Sequence, residues 1–471
     1  MKTIRSFIIP LTLLLLLSGC RESYLAEKEF FKASKVLATI KASDIKAHGL
    51  QVYDPAIEAF EHVVEKYPGT PKAVESLFLI SHLRASQKNF DKARTALEKV
   101  VQNSANRAST ARLTIAQLYE REGRWKDAEA AYWETAQYHS LDINGLYAPI
   151  QIILHYKKLG DVVGRDKAYR KALDHYNKVL EQSGPIQASA MVRNYLALAY
   201  FSNDEWERAK QEWLSLAKDM PENSYAPLSL LAAAELSQQK ADIPTAIKIY
   251  RDYLQQYPKH ALAGKTAVSL GLLYEDRKEF AEARQWFEKA LTQYFTKNKA
   301  QAADIKLLIG KSYQDEGRWS DAERIYREIE TQYPMTVAAL QVPFMAHLHY
   351  ESIGQKEKAK EILDSAINHY KELATQYSGT KLERYVRSFI NSAYAKQGNW
   401  NQVLSSIDEE IKREKRPIRQ GRWLILKALI AEKQLQDKEK ALSLYRDFLT
   451  RYPEHPLARA AKMHQQILAQ Q

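Results

Sequence analysis

The chain has 471 residues. A single hydrophobic core stops growing near about 250–300 residues, so several domains or a repeating array are required. With 16 glycines and 15 prolines, about half the average share, collagen, low-complexity linkers and a turn-rich all-β fold are disfavoured. The 69 cationic and 57 acidic side chains give a net charge of +12, and the single cysteine excludes an internal disulfide framework or a multi-cysteine metal site.

The chain opens with Lys2 and Arg5, followed by an apolar stretch from Phe7 to Leu17 interrupted only by Thr12. That run is shorter than the roughly 20 residues that span a bilayer, and it fits the apolar region of an export signal. It ends Leu17-Ser18-Gly19-Cys20, and Cys20 is the sole cysteine. These residues resemble the lipobox of bacterial lipoproteins. The resemblance implies that residues 1–19 are cleaved as a signal peptide, that the Cys20 thiol becomes a thioether to diacylglycerol, and that the new amine takes an acyl chain such as palmitate. Two or more acyl chains give stable anchoring where one does not. Arg21 stands where many lipoproteins kept at the inner membrane carry aspartate, so the resemblance implies the outer membrane, facing the periplasm.

Beyond Cys20 the chain repeats. Gly123-Arg124-Trp125-Lys126-Asp127-Ala128-Glu129 is nearly copied by Gly317-Arg318-Trp319-Ser320-Asp321-Ala322-Glu323. With that alanine as anchor, the equivalents are Ala56, Ala93, Ala128, Ala172, Ala209, Ala246, Ala283, Ala322, Ala359, Val403 and Ala441, with gaps of 37, 35, 44, 37, 37, 37, 39, 37, 44 and 38. Four residues on stand Phe60, Leu97, Tyr132, Tyr176, Trp213, Tyr250, Phe287, Tyr326, Leu363, Ile407 and Tyr445, all large and apolar. Offsets of −3, 0, +4 and +7 share one face of an α-helix. A second helical stretch precedes each anchor across a short polar turn, as in 267–274, and proline follows five of the anchors by twelve residues. Each unit is therefore a helix–turn–helix hairpin. The expected fold class is all-α, a superhelical repeat solenoid of about eleven hairpins.

The pattern resembles the tetratricopeptide repeat family, on whose signature positions Leu270, Gly271, Tyr274, Ala283, Phe287 and Ala290 fall in order. That family's period is 34; the usual 37 here implies lengthened helices or turns. The repeats are also similar to those of BamD-like outer-membrane lipoproteins, with about twice as many hairpins, and the resemblance covers about 25–471. The two gaps of 44 read as an extended second helix or insertion around Gly160 to Gly164 and as a long helix through Ala366 and Tyr370 toward Tyr377 that breaks at Ser378-Gly379. They predict a division of the mature chain into 20–181, 182–377 and 378–471, the last closed by a capping helix from Leu457 to Gln471.

No phosphate-binding glycine loop, nucleophile elbow or His-Glu-x-x-His occurs, so neither enzyme activity, cofactor nor metal is expected. His347 and His349, two apart on a helix, point in different directions and read as packing or surface residues. The resemblance implies that first helices line a concave groove for protein partners. Their outward-facing positions are Gln117, Glu120, Asn194, Phe201, Lys265, Glu275, Lys311, Gln314, Phe344 and Leu348. A basic stretch holds Lys412, Arg413, Lys415, Arg416, Arg419, Arg422 and Lys427 against Glu414 alone. It reads either as a counterweight to Asp408-Glu409-Glu410 across a repeat junction or as a patch for an anionic partner. The expected function is a non-catalytic, lipid-anchored scaffold for other envelope proteins in an assembly or export complex. The alternative is a polysaccharide- or peptidoglycan-binding lipoprotein using exposed aromatics and the basic patch. An exported protein meets no nucleic acid routinely, so none is expected.

Overall fold

A computed structural model describes residues 8–182, 184 and 186–470, with the side chains of 8–20, 42, 43, 46, 186 and 187 outside the described residues. The first seven residues of the expected signal peptide and the thiol of Cys20 thus lie outside the description, although helix α1 (Ile8–Thr39) carries the backbone of Cys20. The short α2 (Ala42–His48), a 3-10 turn at Gly49–Tyr53 and α3 (Asp54–Lys66) follow. Ten hairpins come next: α4 (Pro71–Ser86) with α5 (Phe90–Asn103), α6 (Ala105–Glu122) with α7 (Trp125–Tyr138), α8 (Ile143–Leu159) with α9 (Val162–Gln182), α10 (Ile186–Ser202) with α11 (Trp206–Asp219), and α12 (Ala226–Gln239) with α13 (Ile243–Gln256). They continue as α14 (Ala263–Asp276) with α15 (Phe280–Gln293), α16 (Lys299–Asp315) with α17 (Trp319–Gln332), α18 (Val337–Ser352) with α19 (Lys356–Gln376), α20 (Lys381–Lys396) with α21 (Trp400–Arg413), and α22 (Pro417–Lys433) with α23 (Lys438–Arg451). Helix α1 packs on α3 as an eleventh pair, and α24 (Ala458–Gln470) closes the chain, burying Ala461 and Leu468. Among the described residues there is no strand, and no helix is long and apolar enough to cross a membrane.

The turn inside each of the ten hairpins uses one residue with positive φ: Lys88, Gly123, Gly160, Asp204, Ala241, Lys278, Gly317, Gly354, Gly398 and Gln436. Glycine adopts this conformation without the Cβ clash that opposes it in other residues. The five non-glycine turns therefore hold strain, which packing of the two helices overrides. That packing is the anchor contact. No anchor is more than 6% exposed, and the bulky residues four positions on are all buried. The first helix yields space as well: a Cβ added to Gly310 would stand 2.4 Å from the Tyr326 ring.

The molecule forms two compact units, Met1–Tyr253 and Leu254–Gln471, divided inside α13. The division expected at 181/182 and 377/378 is not where the units separate. Both gaps of 44 arise because α9 and α19 have 21 residues where most second helices have 14. Seven residues are nearly two helical turns, so the longer helix keeps its apolar face in register and the hairpin lengthens without a break. Helix α9 still packs on α10, and α19 on α20.

The two long-helix regions are copies of one another. The bounds of α7 and α17, α9 and α19, and α11 and α21 are each displaced by 194 residues (319 − 125, 356 − 162, 400 − 206). At that displacement Tyr119 matches Tyr313, Pro149 matches Pro343, His155-Tyr156 matches His349-Tyr350, and His175-Tyr176 matches His369-Tyr370. Contacts repeat with the residues. Pro149 lies inside α8 and Pro343 inside α18, where proline removes a helical N–H and disturbs the preceding turn. In each unit a buried tyrosine from the long helix meets that turn: Tyr176 Oη donates to the Leu146 carbonyl at 2.6 Å, and Tyr370 Oη to the Leu340 carbonyl at 2.5 Å.

Two stability outcomes follow from this packing. Ala283→Trp forces bulk into the α14–α15 contact and is expected to cost about 1–3 kcal/mol or more in thermal unfolding. Lys278→Gly relieves a left-handed non-glycine turn and is expected to raise stability by up to about 1 kcal/mol in the same assay.

Candidate functional site

The first-helix positions expected to face a partner divide into two groups. Lys265 on α14 and Lys311 on α16 are exposed, as is Leu348 on α18. Gln117, Glu120, Asn194, Phe201, Glu275, Gln314 and Phe344 are half-buried, and most of these serve the hairpins themselves. Glu120 accepts a hydrogen bond from Tyr132 Oη at 2.8 Å and lies 2.8 Å from His155 Nδ1. Gln314 Oε1 accepts from Tyr326 Oη at 2.9 Å, and Asn194 Oδ1 from Trp213 Nε1 at 3.1 Å. Phe201 meets Trp206 edge-on at 5.1 Å, and Phe344 tilts against Phe389 at 5.8 Å. Helices α6, α8 and α10 touch in turn in the first unit, and α16, α18 and α20 in the second, so those first helices form a continuous surface.

In three hairpins a polar side chain eight residues before the anchor clamps the phenol four residues after it: Glu120–Tyr132, Gln238–Tyr250 and Gln314–Tyr326, while Tyr445 bonds Glu432, nine residues before its anchor. Burial first, and then the bond to Glu120, lift the Tyr132 phenol far above the ordinary range, so it stays a donor. Glu275 occupies the same register, but its hairpin presents Phe287, which has no hydroxyl. Burial there raises the Glu275 carboxyl above its usual pKa, opposed by the neighbouring Ser312 hydroxyl.

The basic stretch spans the α21–α22 junction, and much of it is matched by acids. Arg416 grips Glu414 through two hydrogen bonds of 3.0 and 3.2 Å, and those bonds pull the Glu414 carboxyl down to about 2. Arg419 lies 3.8 Å from the same carboxylate. Arg413 bonds Glu383 at 3.0 Å, and Lys427 reaches across to Asp408. Lys412, Lys415 and Arg422 remain exposed. Of the acidic triplet, Asp408 pairs with Lys427 and Glu409 lies 3.9 Å from Arg413, whereas Arg416 and Arg419 pair with Glu414 inside the basic stretch itself.

Two constellations escaped the linear sequence. Trp125 stacks on His155 at 3.3 Å between centroids with Tyr156 edge-on, and Trp319 stacks on His349 at 3.7 Å with Tyr350 edge-on. A buried arginine also ties consecutive hairpins together. Arg94 sits 4.1 Å over the Tyr119 ring and pairs with Asp91 and Glu122; Arg284 sits 4.1 Å over Tyr313 and pairs with Glu316 at 2.7 Å. Tyr119 and Trp125 recur 194 residues on as Tyr313 and Trp319, whereas the two arginines, 190 residues apart, each directly follow an anchor, Ala93 or Ala283. Among the described residues no group of three or more His, Cys, Asp or Glu could hold a metal ion.

Opposite substitutions test the clamp. Tyr132→Phe removes the phenol donor from one Glu120 oxygen and is expected to cost about 1–3 kcal/mol, whereas Phe287→Tyr supplies the missing donor to Glu275 and is expected to stabilise. A Glu275→Gln variant should melt above the wild type at pH 7. A raised native pKa means stability falls as pH rises through it, so that advantage should vanish on acidification below the ordinary carboxyl range.

Models of the tetratricopeptide repeat family match residues 78–139, 231–303, 304–334 and 424–455. No curated relative matches by sequence. Among solved structures, yeast Tom70 is 14% identical with a TM-score of 0.36, covering 95% of this chain and 99% of that one. BtubC from P. vanneervenii is 16% identical with a TM-score of 0.31, covering 50% and 90%. A tetratricopeptide repeat protein from Parabacteroides merdae is 17% identical with a TM-score of 0.27, covering 55% and 92%. Likenesses this loose carry nothing about function. Those matched segments carry tetratricopeptide repeats, and the buried anchors continue their spacing through an all-α fold of tetratricopeptide-like hairpins.

Proposed function

We propose that the chain is a non-catalytic scaffold, tethered by lipid on Cys20 to the periplasmic face of the outer membrane, where its repeats hold other envelope proteins in an assembly or export complex. One observation carries the scaffold role. The polar and aromatic residues best suited to chemistry, Glu120, Asn194, Gln314 and the Trp–His stacks, are committed to joining helices. What the second unit offers outward is a row of touching first helices bearing exposed Lys311 and Leu348, with Lys265 exposed on α14. Mixed cationic and apolar positions on a preformed surface suit a protein partner, because little ordering entropy is lost on docking. The address rests on the order of features at the N-terminus: two cations, an apolar run, small residues, then the sole cysteine.

The anchor is tested in a Gram-negative host fed radiolabelled palmitate. Wild type is expected to incorporate label and sediment with outer membranes; Cys20→Ala is expected to lose both while melting at the same temperature. A wild-type chain that never takes up label contradicts the tether.

A further inference from the structure

The second unit holds a cavity of about 470 Å³ between α17 and α19, floored by α18 and lined in part by Arg327, Glu330, Ala346, Ser365, His369 and Tyr370. That size lies within the roughly 300–1,000 Å³ typical of ligand sites. The equivalent place in the first unit is filled by the chain itself. The counterpart of Arg327 is Trp133, which is 7% exposed, and the counterpart of Ala346 is the fully buried Ile152. The Trp133 indole lies edge-on to His175, 6.4 Å between centroids, with Lys171 Nζ 4.0 Å over its ring. His175 and Lys171 correspond to His369 and Ser365, two residues lining the cavity.

Between the copies, then, an indole, the lysine over its ring and a branched aliphatic chain have left, while the histidine at the indole's edge and the tyrosine behind it have stayed. Tyr176 and Tyr370 make the same hydrogen bond to the same turn, so the wall behind the space is unchanged. Val342 and Ile362 are larger than their counterparts Ala148 and Ala168, yet the space remains open. Arg327 pairs with Glu323 at 2.9 Å, and both side chains line the cavity without filling it. Glu330, where the first unit has Ala136, is exposed at the cavity's edge, and partial desolvation there lifts its carboxyl above the ordinary range. A carboxyl there offers an acceptor for an indole N–H, a bond that the buried Nε1 of Trp133 lacks.

We infer that this cavity receives one aromatic side chain, an indole by preference, projecting from a protein partner. The inference rests on the scaffold role only for the source of that indole. Buried aromatic anchors in preformed pockets dominate the energetics of protein interfaces.

The test uses the full-length chain in detergent, N-acetyl-L-tryptophanamide as probe and saturation-transfer NMR. Expected are saturable transfer to the indole protons and binding at least tenfold weaker in R327W/A346I, which restores the residues of the first unit. Because a double substitution in a helix interface can misfold, Ala346→Ile alone is measured beside it and is expected to weaken binding at least threefold without lowering the melting temperature. Equal binding by wild type and Ala346→Ile, or equal saturation of N-acetyl-L-leucinamide, overturns the inference. Failure of the probe to bind removes the cavity's role and leaves the scaffold standing; a chain that binds the probe but holds no envelope protein does the reverse.

Discussion

Each hairpin has an apolar face that it cannot bury alone, and every other feature of the molecule answers that constraint. The solution is a small residue facing a large one, repeated along each unit: alanine at the anchor lets a neighbouring helix approach, and a ring or branched chain one turn on fills the groove beside it. The contact is strong enough to hold Lys88, Asp204, Ala241, Lys278 and Gln436 in left-handed turns. It also explains why polar residues along the first helices are drawn inward. A buried phenol requires an acceptor, and the nearest available group lies across the hairpin.

The recurrence at 194 residues shows which parts of a repeat tolerate change. The proline, the seven-residue extension, the tyrosine that meets the carbonyl before the proline, and the Trp–His stack occur together in both regions. Removing one member would leave either an unmatched carbonyl or an unsupported ring. Several residues outside that linked set differ. Glu120 and Gln314 exchange an acid for an amide while keeping the phenol, whereas Trp133 and Arg327 differ completely. Divergence at that last place leaves one copy filled and the other open.

Much of the fold was legible in sequence because its determinants are local. Anchor spacing, the aromatic four residues on, the turn before the second helix and the closing helix at the C-terminus all lie within one repeat. The unit boundary was not legible: a gap of 44 resembles a break, but the same gap arises when a second helix grows by two turns. The groove positions were only partly legible. Whether Glu120 or Glu275 faces inward to a partner depends on the hydroxyl that separates tyrosine from phenylalanine twelve residues away. The Trp125–His155 stack depends on residues 30 apart on different hairpins, a separation that helical periodicity does not report.

Thiol accessibility measures the central contact most directly. Cysteine is placed singly at each of the eleven anchors in a Cys20→Ala background, with a cysteine at exposed position Glu282 as reference, and a maleimide is added without denaturant. Small-against-bulky nesting predicts that none of the anchors reacts until the chain unfolds, while position 282 reacts at once. An anchor modified as fast as that reference would contradict it.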